Sequence, residues 1–144
     1  MNILILDDLR ERHEVFKIRY QGHQLFHAWT AEECISLLKK QKYDLITLDH
    51  DLGEVRSESY NEAFLAKDGG DVAHWIANHL DKALYPPKVI IHSWNPNGSR
   101  SMYLTLQSVG ISVEREEFHP TDDEWNEANK VLFFTDIPVD EWTP

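Results

Sequence analysis

Residues 43–54, YDLITLDHDLGE, carry the clearest structural signal in the chain. An apolar run stops there at Asp49, His50 and Asp51, and a glycine follows shortly afterwards. A short apolar run bounded by turn-forming residues is typical of a buried strand. Because two neighbouring carboxylates repel each other, this polar ending predicts a chemical site at the end of the strand.

Two other apolar runs end in a similar way. NILIL, residues 2–6, precedes Asp7 and Asp8, and the strand pattern PPKVIIHSW leads to polar residues at 92, 93 and 95. Helical patterns lie between these runs, and residues 52–67 predict an irregular loop. Strands that alternate with helices indicate an α/β fold with a parallel sheet covered on both faces. Ligands bind beyond the carboxyl ends of such strands, so the three polar endings are expected to converge.

Composition limits the class of protein. The 144 residues are 42% hydrophobic and 27% charged, which suits a single globular domain. The net charge is −11, which argues against broad binding to duplex nucleic acid. No apolar run approaches the ~20 residues that cross a bilayer, and the early acids disfavour a signal peptide. Cys34 is the single cysteine and is expected to pack in the core of a cytoplasmic protein.

The strand endings resemble those of the receiver domain of two-component signalling. The matching residues are the acidic pair after strand one, Asp49, Asp68-Gly69 and Ser93. The resemblance implies a flavodoxin-like, doubly wound sheet of five parallel strands in the order 2-1-3-4-5. It covers residues 1–120, and residues 121–144 are then a C-terminal extension packed on the same domain. It also implies that the acids bind Mg²⁺ and that Asp49 is a phosphoacceptor.

Three further motifs are similar to a derived group, the cyclic-phosphate-processing receiver domains. They are LDHDLG, DGGDVA and IIHSWNPNGSRSM. This resemblance implies action on cyclic phosphates, such as RNA ends that carry a 2′,3′-cyclic phosphate. The lysine that receivers carry after strand five is missing here, and the nearest match is His119-Pro120.

The acids predict a metal site. Asp7, Asp8 and Asp49 offer hard oxygen ligands, which suit Mg²⁺ or Mn²⁺. Without a cation, three carboxylates at one place would repel each other. The alternative is that Asp7 or Asp8 only caps the helix that follows it.

The histidines at the strand ends predict acid–base chemistry. Because the unperturbed histidine side chain titrates near neutrality, His50 and His92 could serve, together with Asp49, as the catalytic residues that open a cyclic phosphodiester. Asp51 would orient His50 or its neighbour as a hydrogen-bond acceptor, and the alternative is that it only caps the loop. The alternatives are a transition-metal site that uses both histidines, or purely structural histidines.

The segment HSWNPNGSR predicts a phosphate-binding site. A hydroxyl, a helix N-terminus and a guanidinium are the usual ligands of phosphate, and the candidates here are Ser93, Asn95, Asn97, Ser99 and Arg100. An ordinary turn with a helix cap is the alternative. Trp94 is expected to pack in the core, although it could instead stack on a base.

These features favour a metal-dependent phosphoesterase that hydrolyses cyclic phosphates. Its partner would be an RNA end or a nucleotide bearing a cyclic phosphate, with no membrane involved. The alternatives are a signalling receiver that is phosphorylated on Asp49, and a non-catalytic adaptor that binds a nucleotide or a protein. The absent lysine and the added histidines favour the enzyme.

Overall fold

The computed structural model describes residues 1–53, 67–79 and 87–135. Strands and helices alternate along the chain. The strands are β1 (Asn2–Leu6), β2 (Gln24–Ala28), β3 (Leu45–Leu48), β4 (Lys88–Ile91) and β5 (Val113–Arg115). The helices are α1 (Arg10–Arg19), α2 (Ala31–Lys40), α3 (Gly69–His79), α4 (Pro96–Ser108) and α5 (Asp122–Thr135). Most of the loop predicted over residues 52–67 lies outside the described residues.

The five strands form one parallel sheet in the order β2-β1-β3-β4-β5. The predicted α/β class and strand order are therefore confirmed. Apolar side chains of β1, β3 and β4 pack against α2, α3 and α4 on one face, where Cys34 is fully buried. On the other face, Val15 and Phe16 of α1 pack with Ala128 of α5. Burial on both faces explains why these strands are continuous apolar runs.

The last helix packs against the first. The guanidinium of Arg19 donates to both carboxylate oxygens of Glu124, at 2.8 and 3.1 Å, and Ala128 is fully buried. We retain as a proposal the division of the chain into residues 1–120 and an extension, 121–144, of which 136–144 lie outside the described residues. Among the described helices, none has the length and apolar character needed to cross a bilayer.

Two helix starts follow from their capping residues. The sequence places Thr30 and Glu33 at the spacing of a capping pair, and the Thr30 side chain accepts a hydrogen bond from the Glu33 backbone N–H at 3.1 Å at the start of α2. Asn95 caps α4 in the same way, and Pro96 occupies the first helical position, where a missing N–H costs nothing. Helix α4 therefore begins at Pro96.

Gly69 allows α3 to pack closely against the end of β3. A Cβ on Gly69 would clash with the backbone oxygen of Asp49, whereas a Cβ on Gly70 would lie 3.0 Å from Asp68 Oδ1 and 3.5 Å from His50 Nε2. We expect Gly69→Ala to lower the free energy of unfolding by about 3 kcal/mol, at the upper end of typical overpacking. Gly70→Ala is the control and should change it by less than about 1 kcal/mol. Urea denaturation of both variants tests this, and equal effects would contradict the close contact.

Candidate active site

Three strand ends meet at one buried cluster. Asp7 follows β1, Asp49 follows β3 and His92 follows β4, and one potential ligand atom from each lies within 4.8 Å of the others. All three side chains are almost fully buried, with exposures of 0%, 4% and 2%. The convergence expected from the three polar strand endings is therefore present in the structure.

Sheet hydrogen bonds that continue past the strands position this cluster. The Asp49 backbone N–H donates to the oxygen of Leu6, and the His92 N–H donates to the oxygen of Leu48, each at 3.0 Å. The three side chains are thus held at successive positions across the same edge of the sheet. Because these hydrogen bonds fix the backbone at Asp49 and His92, the side chains of the cluster are kept close together.

The two carboxylates of the cluster differ in acidity. Burial raises the pKa of Asp49 to about 6, and the charge of Asp7 adds to this rise. Burial acts on Asp7 as well, but the hydrogen bond from His92 and the charges of His92 and Arg12 outweigh it, so the pKa of Asp7 lies below its ordinary value. The pKa of Asp49 is raised because burial and the charge of Asp7 outweigh the nearby positive charges of His92 and Arg12.

Arg12 places a positive charge beside both carboxylates. Its Nη1 lies 3.3 Å from Asp7 Oδ2 and 3.5 Å from Asp49 Oδ2, and its guanidinium lies 5.2 Å from the centre of the Phe118 ring. Helical side chains point toward the N-terminus of their helix, and this direction brings a residue in the first turns of α1 to the strand ends. Sequence reasoning missed Arg12, although it lies only five residues after Asp7.

His92 is hydrogen-bonded through both ring nitrogens. Its Nε2 lies 2.8 Å from Asp7 Oδ2, and its Nδ1 lies 2.7 Å from Thr47 Oγ1. Because a hydroxyl can donate or accept, Thr47 suits either tautomer of the ring. This partner was also missed, and the only signal for it was one hydroxyl within the apolar strand LITL. His92 is thus positioned to bind a cation together with Asp7, or to orient Asp7.

Asp8 lies beside the cluster. Its carboxylate faces Gly53, where an added Cβ would come within 2.6 Å of Oδ2. Burial and the charge of Asp7 raise the pKa of Asp8 above its ordinary value. The structure thus groups His92, rather than Asp8, with the other two predicted ligands, and a metal-binding role for Asp8 stays a prediction.

His50 lies in a separate polar group between the starts of α3 and α4. Its Nδ1 lies 2.7 Å from Asp51 Oδ1, and its Nε2 lies 3.8 Å from Asp68 Oδ2. The hydrogen bond from His50 holds the pKa of Asp51 below its ordinary value. The ring lies flat against Gly98, where a Cβ would come within 2.5 Å of it. The exposed fraction of the His50 side chain is 20%, so this imidazole is more accessible than that of His92.

The segment after β4 is largely hydrogen-bonded to itself. The Ser93 hydroxyl accepts from the Asn95 N–H, and the Asn95 side chain accepts from the Gly98 N–H and donates to Asp51. The Ser99 N–H donates to the Asn95 oxygen. Phosphate binding by these N–H groups would require Asn95 to move, so the predicted role of this segment stays a proposal.

Arg115, rather than Arg100, reaches this segment. Its guanidinium donates to the buried Ser99 hydroxyl at 2.8 and 3.1 Å. The side chains of Asn97 and Arg100 are exposed on α4. The exposed fraction of Trp94 is 52%, so its expected packing in the core is wrong. Trp94 follows the buried strand end directly and faces outward from it.

Solved receiver structures share this fold at low sequence identity. The response regulator TrrA from Thermotoga maritima, in complex with Mg²⁺-BeF, is 22% identical with a TM-score of 0.58, covering 91% of this chain and 97% of that chain. The Mn²⁺-bound response regulator Rcp1 is 17% identical, with a TM-score of 0.56 and 93% of each chain covered. The receiver domain of the Francisella response regulator 1452 is 18% identical, with a TM-score of 0.53 and coverages of 93% and 98%.

A match to a protein family says more about this chain than the similarities in fold. Residues 2–108 match the family described as the Cyclic-phosphate processing Receiver domain. No curated protein matches the chain significantly. The matched range includes every residue of the buried cluster, Arg12 and the group around His50. The chain belongs to the Cyclic-phosphate processing Receiver domain family.

Proposed function

We propose that the protein is a metal-dependent phosphoesterase that hydrolyses cyclic phosphates at the Asp7–Asp49–His92 cluster. The observation that carries this proposal is the cluster itself, in which two carboxylates and an imidazole meet within 4.8 Å at the carboxyl edge of the sheet. The substrate class is that of the family to which the chain belongs. The substrate would be a 2′,3′-cyclic phosphate on an RNA end, or a related cyclic nucleotide.

The residues present fit a divalent cation. Two buried carboxylates lie together, and the pKa of Asp49 is raised to about 6 even with Arg12 nearby, so a cation would relieve their repulsion. Carboxylates suit Mg²⁺ and Mn²⁺, and the imidazole of His92 adds a nitrogen ligand that suits transition-metal ions better than Mg²⁺. When bound, such a cation would neutralise charge on the phosphate and lower the pKa of a water molecule.

Arg12 is the residue that we assign to the phosphate. A guanidinium forms strong, paired hydrogen bonds with phosphate oxygens. Its present partners, Asp7 and Asp49, lie at 3.3 and 3.5 Å, which are long distances for charge-assisted bonds. The ring of Phe118 covers one side of the group and would limit the access of bulk water. The Arg12 guanidinium can therefore exchange its contacts with the two carboxylates for hydrogen bonds to a substrate phosphate without leaving its position beside Phe118.

His50 is the proton donor in this proposal. The water oxygen forms a new bond to phosphorus, and one ring P–O bond breaks. The freed sugar oxygen takes a proton from His50 Nε2, while the proton lost by the water passes to solvent, from which His50 is protonated again. Asp51, hydrogen-bonded to Nδ1, holds the ring so that Nε2 carries the transferable proton. The product is a phosphomonoester.

The signalling alternative rests on the shared fold and on the position of Asp49. A receiver needs an acceptor carboxylate and a cation, which this cluster would also provide. It does not need an imidazole paired with a carboxylate at the mouth of the site, and His50 and Asp51 form that pair here. This pair favours hydrolysis over stable phosphorylation of Asp49.

Purified protein incubated with a panel of cyclic phosphates tests the proposal. The panel contains adenosine 2′,3′-cyclic phosphate, a short RNA ending in a 2′,3′-cyclic phosphate, and adenosine 3′,5′-cyclic monophosphate, each with Mg²⁺, with Mn²⁺ or with a chelator. We expect conversion of at least one cyclic substrate to a monoester with metal and none with the chelator. Absence of turnover on the whole panel with both metals would overturn the proposal.

A further inference from the structure

An aromatic cavity opens directly beside the buried cluster. Its volume is about 480 Å³, within the usual range of small-ligand sites. Trp94, Phe118, His119 and Trp125 are among the residues that line it, together with Arg12. Arg12 also contacts Asp7 and Asp49 through Nη1. The cavity and the carboxylate cluster therefore share the Arg12 side chain.

The rings of the cavity are unusually exposed for large aromatic groups. The exposed fractions of Trp94 and Trp125 are 52% and 39%, whereas Phe118, which also lines the cavity, is buried. The ring centres of Trp94 and His119 lie 4.6 Å apart at an interplanar angle of 67°. Exposed indole faces next to a phosphate-handling site are the surfaces on which nucleic-acid bases stack.

The charges of the cavity narrow the class of ligand. Glu11 and Asp122 also line it, so two acidic residues border the cavity. They disfavour an acidic peptide or a second phosphate in this part of the site. A nucleobase is a flat ring with N–H groups at its edge, and carboxylates accept hydrogen bonds from such groups.

We infer that this cavity binds the nucleobase of the substrate, which stacks on Trp94 and Trp125 while the phosphate reaches Arg12 and the buried cluster. The inference rests on the proposed function for the position of the phosphate, and it adds a requirement for a base. The substrate class is therefore a nucleoside or RNA 3′ end, rather than a cyclic phosphate on a sugar or polyol alone. The proposed stacking ring Trp125 lies outside the family match at residues 2–108.

Binding of adenosine 3′-monophosphate to the intact chain tests the inference without any need for turnover. Titration followed by NMR should shift the indole N–H signals of Trp94 and Trp125 and leave that of Trp75, on α3, in place. Trp94→Ala and Trp125→Ala should each weaken binding by about 5- to 150-fold, the range measured for lost base stacking. Leu104→Ala removes an equally exposed apolar side chain from α4 and is the control.

Methyl riboside 3-phosphate, which lacks the base, separates the two proposals. We expect it to bind more weakly than the nucleotide by a similar factor and to bind equally well to wild type and Trp94→Ala. Equal affinity for the two compounds in wild type, or unshifted indole signals, would overturn the inference and leave the hydrolase proposal intact. Base-dependent binding without turnover of any cyclic phosphate would support the inference and overturn the proposed function.

Discussion

Replacing His50 with alanine is expected to lower the turnover of a cyclic phosphate by about 10²- to 10⁴-fold, the usual contribution of a general acid or base. The thermal stabilisation by Mn²⁺ should persist in this variant. His50 is hydrogen-bonded to Asp51 and lies outside the group formed by Asp7, Asp49 and His92. Steady-state kinetics together with melting curves, with and without metal, measure both effects.

Two further variants test whether the loss of turnover is specific to the His50 imidazole and to its orientation. His74→Ala removes an exposed histidine from α3 and should leave turnover unchanged. Asp51→Asn should keep the imidazole but disturb its orientation, so the pH–rate profile should shift as well as fall. Wild-type turnover in His50→Ala would contradict the assigned proton transfer. Joint loss of turnover and metal stabilisation would instead assign His50 to the metal site.

Replacing Asp49 with asparagine is expected to stabilise the metal-free protein at pH 7 by about 2–3 kcal/mol. The pKa of Asp49 is raised from 3.8 to about 6 in the folded state. Between these values the unfolded chain releases this proton while the folded chain retains it. The contribution of Asp49 to the free energy of unfolding therefore falls as the pH rises from about 4 to 6, and it is constant above that range. Asparagine has no such charge and removes this loss.

Added metal should make the wild type more stable than Asp49→Asn, the reverse of the order expected without metal. At the proposed site, Mn²⁺ should stabilise the wild type by binding to its folded state, whereas Asp49→Asn would lack one of the proposed ligands. Urea denaturation in a chelator from pH 4 to 8, repeated with Mn²⁺, tests both parts. Asp51→Asn is the control, because the pKa of Asp51 is lowered and its replacement should not stabilise the chain. Equal metal stabilisation of wild type and Asp49→Asn would show that Asp49 does not bind the cation.

The fold was predictable because its signals are local. Each central strand is a continuous apolar run, and the capping pair Thr30 and Glu33 marks the start of α2. Parallel strands separated by helices then place the ends of β1, β3 and β4 at one edge of the sheet. The meeting of Asp7, Asp49 and His92 follows from this topology alone.

The remaining site residues depend on side-chain directions that a linear pattern does not contain. Arg12 reaches the cluster because α1 is oriented to bring its first turns back over the strand ends. Arg115, on β5, reaches Ser99, on α4, and the two residues are 16 positions apart in the sequence. The exposure of Trp94 depends on which neighbours cover it, and the sequence alone does not specify them.

One reaction mixture tests the central claim most directly. The intact protein is incubated with Mn²⁺, adenosine 2′,3′-cyclic phosphate and acetyl phosphate in ¹⁸O-labelled water, and both nucleotide and protein are examined by mass spectrometry. Hydrolysis at the cluster predicts adenosine monophosphate that carries one labelled oxygen, with the mass of the protein unchanged. An intact cyclic nucleotide, with one phosphoryl group added to the protein at Asp49, would contradict the account and establish the signalling alternative.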